Sequence, residues 1–149
     1  MAMKDFQDNP ADNYNERVPW QQFYILTEHW LSDLKFHRDE IKFLNHLIHK
    51  YTLWLTRFEE VEMVRNVGEM LARVHTECLE LLSKTEDHLK HLTYLKENPF
   101  SHDSQGLLNE HGVLERALAD FAKHFRTAKR EAFKVTEDLA DSPEVAEHL

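Results

Sequence analysis

The sequence predicts an all-α fold, an antiparallel up-down-up bundle of three long helices that self-associates. Three observations carry this reading. The 149 residues include only three glycines and four prolines, so the chain has few places to turn. Apolar residues recur at a seven-residue spacing over three stretches of similar length. The segments between those stretches are short, which makes consecutive helices antiparallel neighbours. A chain of this length forms one domain with a sizeable core.

Residues 1–17, MAMKDFQDNPADNYNER, are polar, rich in Asp and Asn, and interrupted by Pro10. No periodic apolar face forms there, and a mobile polar arm is expected. The bundle is placed at residues 18–141 and a C-terminal tail at 142–149.

Pro19 stands where a helix can begin, because its missing N–H is not needed in the first turn. From Trp20 one seam position holds Trp20, Thr27, Leu34, Ile41, Ile48 and Leu55, and its companion holds Phe23, Trp30, His37, Leu44 and Tyr51. This pattern predicts a helix over 19–55. Thr56-Arg57-Phe58-Glu59 then has capping-box spacing, in which Thr and Glu satisfy the unpaired donors of a new helix, so a turn is expected at Thr56.

The second helix, 57–97, carries Val64, Leu71, Cys78, Thr85 and Leu92 on one seam, with Val67, Val74, Leu81, His88 and Leu95 on the other. Asn98-Pro99-Phe100-Ser101-His102-Asp103-Ser104-Gln105-Gly106 gathers loop-forming residues and predicts a second turn. The third helix, 104–140, follows His111, Leu114, Leu118, Phe121, Phe125, Ala128, Ala132, Val135 and Leu139 until Ser142-Pro143.

Charge narrows the function. Eighteen basic against 27 acidic residues give −9, and the eleven histidines would carry that to +2 if all were protonated. An acidic chain lacks the clustered positive charge of a nucleic-acid binder. No apolar run is long enough to span a bilayer, so no membrane partner is expected. One cysteine, Cys78, rules out an internal disulfide and suits a reducing compartment, so a cytoplasmic location is expected.

Catalytic patterns are missing. There is no glycine-rich phosphate loop or nucleophile elbow, and Cys78 lies mid-helix on a seam, where a thiol is inert. No Glu-x-x-His pair of the di-iron carboxylate type occurs. A non-enzymatic protein is expected, one that binds itself or another helical protein.

Three groups of residues are candidates for that function or its alternative. Phe36 and Phe43 lie seven apart on the first helix and away from the seam, with Leu26, Leu47 and Trp54 on a neighbouring flank. They either widen the core face or, as Phe36, Phe43 and Trp54, form a partner-binding surface. Folding the chain back twice brings His37, His75, Cys78 and His124 to one height, a donor set suited to a transition metal, with Asp33 and Asp120 placed to orient the imidazoles. This is the alternative function, a metal-binding bundle for storage, sensing or redox work. His46 and His49 fall on the solvent side. A second polar level collects Thr27, Thr85, His88, His111 and Glu115, with Glu110 near, and is expected as a buried polar layer that fixes register. Buried His37, His88 and His111 also suggest a pH-responsive assembly.

Overall fold

The computed structural model describes residues 20–98 and 104–143, so the expected arm (1–17), most of the tail (144–149) and the centre of the second turn (99–103) lie outside the described residues. The rest is three helices: α1 Trp20–Thr52, α2 Phe58–Glu97 and α3 Ser104–Ala140. At about 1.5 Å per residue they form rods of roughly 50–60 Å.

The topology follows from which residues meet. Glu77 pairs with His124 and His88 with Glu110, so α2 and α3 run in opposite senses. On the other seam Trp30 lies against His111, His37 against Phe125, and Glu40 against Lys129, so α1 runs parallel to α3 and antiparallel to α2. This is the up-down-up, all-α bundle.

The core is the set of seam positions. Leu34, Ile41, Leu44 and Ile48 of α1 meet Leu71, Val74, Cys78 and Leu81 of α2, and α3 closes the core with Phe121, Phe125, Val135 and Leu139. Ala128 and Ala132 on α3 are buried as well, and side chains that small let the backbones approach closely.

The first turn differs from expectation. α1 ends at Thr52, not at residue 55, and the Thr52 hydroxyl donates to the Ile48 carbonyl 3.2 Å away. Two tight turns follow, Trp54 N to Tyr51 O and Leu55 N to Thr52 O, both 3.3 Å. Unwinding here leaves Leu53 in solvent and folds Leu55 onto the core, with Trp54 packed beside it. The capping box is out of place by one residue. Arg57 is the N-cap of α2, in extended backbone with no side-chain cap bond, and Glu59 and Glu60 occupy the first turn, where the helix dipole favours negative charge.

The second turn begins where expected: Asn98 closes α2, its backbone N–H bonding the Tyr94 carbonyl at 2.8 Å. At the far end Ser142 N bonds Leu139 O at 3.0 Å in a tight turn that ends α3.

Two substitutions on α2 should act in opposite directions in urea denaturation. Leu71→Ala, at a fully buried site, should lower stability by about 2–5 kcal/mol. Gly68→Ala should raise it by about 0.5–1 kcal/mol, since an added Cβ meets nothing within 4 Å in a helix interior. A stabilising Leu71→Ala or a destabilising Gly68→Ala would contradict this packing.

Candidate functional site

The polar level near the α2–α3 turn is built by three helices. Thr27 and Thr85 are fully buried, His88 has no exposed surface, and His111 is buried. His88 Nε2 lies 2.8 Å from His111 Nδ1, and His88 Nδ1 lies 2.5 Å from the Glu110 carboxylate. His91, one turn along α2, points its Nδ1 at the same carboxylate at 2.8 Å. The His111 ring is sandwiched by α1: Phe23 stacks on it at 4.0 Å between centroids and Trp30 at 4.7 Å.

The electrostatics follow from this geometry. Burial works to raise the Glu110 carboxyl, but its hydrogen bonds from His88 and His91 outweigh burial and hold it below the usual carboxylate range. Burial first, and the neighbouring His88 second, push His111 down to about 4. His111 is therefore a neutral imidazole at neutral pH.

Two members of this level behave differently from expectation. Glu115 is exposed and takes no part; Glu110 is the carboxylate that joins the histidines. The two are five residues apart, which is about 140° around a helix of 3.6 residues per turn, so Glu110 faces α2 where Glu115 faces water. The threonines do not bridge helices either. Thr27 donates to Phe23 O of its own helix at 2.6 Å, and Thr85 Oγ1 has no hydrogen-bond partner among the described residues.

The four residues read as metal ligands are not brought together. His37 Nδ1 bonds Glu40 one turn ahead at 3.2 Å and packs its ring on Phe121 and Phe125. His124 is exposed and pairs with Glu77 across the α2–α3 seam at 3.0 Å. Cys78 turns inward, its Sγ donating to the Leu34 carbonyl at 3.3 Å, while His75 is half-buried. Among the described residues, no group of three His, Cys, Asp or Glu side chains could hold a metal ion. The shared height was real, but side chains at one height still point in different directions. Glu40 and Glu77 hold the imidazoles that Asp33 and Asp120 were expected to orient. His46 and His49 are exposed.

The third group lies on the outside of α1. Phe36 is 63% exposed and Phe43 58%. Ile25 shares their stripe, eleven residues before Phe36 and so three turns away on the same face. Trp54 does not belong with them, because the unwound end of α1 packs it against the core of its own chain. Phe36 and Phe43 flank Glu40 by one turn on either side, and Lys129, Glu40's partner at 2.7 Å, is followed one turn later by exposed Phe133. Three phenylalanines thus surround one ion pair where α1 meets α3.

The chain matches no family model, no curated protein and no solved structure. Sequence reasoning passed over His91, Phe23 and Trp30 as site residues. The signals were there: His88 and His91 are one turn apart, and Phe23 and Trp30 are seven apart on the seam that meets α3.

The Cys78 thiol is raised to about 11 chiefly by burial. Native protein at pH 8 should therefore resist a thiol reagent such as DTNB, whereas urea-unfolded protein should react with one equivalent within minutes. Rapid labelling of the native state would show that the α1–α2 seam opens readily.

Proposed function

We propose that this protein acts by binding protein, a second copy of itself or another helical protein, through the outer face of α1. The exposed stripe of Ile25, Phe36 and Phe43, extended by Phe133 around the Glu40–Lys129 pair, is the observation that supports it. Burying a phenylalanine side chain is worth roughly 1.5–3 kcal/mol, and more than half of Phe36 and Phe43 remains in water, so covering both gains on the order of 2–3 kcal/mol. Clustered exposed aromatics of this kind mark association surfaces. A non-enzymatic role fits the protonated, inward-facing Cys78 thiol. That single thiol also supports a reducing, cytoplasmic setting. Among the described residues no helix is long and apolar enough to cross a membrane.

Size-exclusion chromatography with light scattering at micromolar concentration should give a mass above 17.8 kDa, or the chain should bind a helical partner. The double substitution Phe36→Glu and Phe43→Glu should abolish that association while leaving helicity by circular dichroism unchanged. Association that survives it would place the interface elsewhere.

A further inference from the structure

We propose that the Glu110–His88–His111 chain is an acid-released clasp that holds the first half of α1 against the other two helices. Few fully buried side chains hold that half. Between Trp20 and Asp33, α1 has one buried residue, Thr27, whose hydroxyl is bonded within its own helix. The fully buried apolar core begins on α1 at Leu34, with Trp30 and Leu31 partly buried against it one turn ahead. Ahead of it, Phe23 and Trp30 grip the His111 ring from both faces. Attachment of the turns before Trp30 thus depends chiefly on where that ring is held, and His88 holds it.

The clasp limits protons by geometry. With His88 Nδ1 donating its hydrogen to the Glu110 carboxylate, His88 Nε2 and His111 Nδ1 face each other at 2.8 Å, a gap that holds one hydrogen. In the neutral pair His111 donates to His88. One added proton is accommodated by reversing that bond: the shared hydrogen passes to His88 Nε2, which then donates, and the added proton binds His111 Nε2. A second added proton would set N–H against N–H, and the pair must separate. Two imidazoles in water accept both protons, so opening takes up at least one proton. The low value for His111 has the same sign.

The surroundings do not offset this. On α1 the neighbours are uncharged rings, with Glu28, His29 and Asp33 exposed in water. On α2, Lys84, Asp87 and His91 border an outer groove, and on α3 Glu115 and Arg116 are exposed. Among the described residues only Glu110 reaches the pair, and it is occupied by His88 and His91. The groove, lined also by Asn109 and Val113, brings solvent to Glu110 and gives protons a way in.

Hydrogen exchange on the full chain, followed by mass spectrometry and expressed as protection factors, tests the clasp. Protection across residues 20–31 should fall about tenfold per pH unit between pH 6 and 4.5, while residues 41–48 keep theirs. In His111→Phe, which retains the stacking ring but cannot titrate, the fall should disappear. Equal loss along the whole of α1, or the same slope in His111→Phe, overturns the proposal. If that variant does not fold, ¹⁵N shifts of the histidine rings in the unaltered protein decide. Uptake of the second proton should coincide with loss of α1 protection, and two independent titrations with protection unchanged would refute the clasp.

Discussion

The bundle depends on α2 being covered from two sides. Its seam residues, among them Leu71, Val74, Cys78 and Leu81, are almost fully buried because α1 lies over one flank and α3 over the other. Neither outer helix has that benefit. Each buries one stripe and leaves its far side in water, where Phe36 and Phe43 of α1 and Val113 and Phe133 of α3 are exposed. A helix in such a position can be apolar over a broad arc, whereas its neighbours carry the polar chemistry.

That chemistry takes two forms between the same helices. Glu40 and Lys129 pair at 2.7 Å where both are partly exposed, and burial's upward push on Glu40 is outweighed by its bonds from Lys129 and His37. Such a pair contributes on the order of 1 kcal/mol or less. The imidazoles of His88 and His111 are buried, so any polar atom left without a partner there costs about 1–3 kcal/mol. The two links therefore differ in kind. The first tunes the α1–α3 seam, and the second must be fully satisfied for the end of the bundle to close.

Much of the fold was legible in the sequence because the core is periodic. Scarce glycine and proline set the helix count, and the heptad seams identified Leu34, Leu71, Phe121 and most of their neighbours. The first turn was less legible. No glycine or proline marks it, and Thr56 and Arg57 compete for the N-cap, a choice decided by how Trp54 and Leu55 reach the core. For the site, spacing gave height along the bundle but not direction around it. That sufficed to bring His88 and His111 to one level, and it failed for His37, His75, Cys78 and His124. It failed again in choosing Glu115 over Glu110. Direction depends on the rotation of each helix about its axis, which packing sets over its full length.

The parallel relation of α1 to α3 has a kinetic corollary. His88 and His111 are 23 residues apart in the chain, whereas Glu40 and Lys129 are separated by 89. Closing the longer loop carries the greater entropic cost before any contact rewards it. The hairpins α1–α2 and α2–α3 close over short separations, and it is the contact of the outer helices with each other that carries the larger entropic cost.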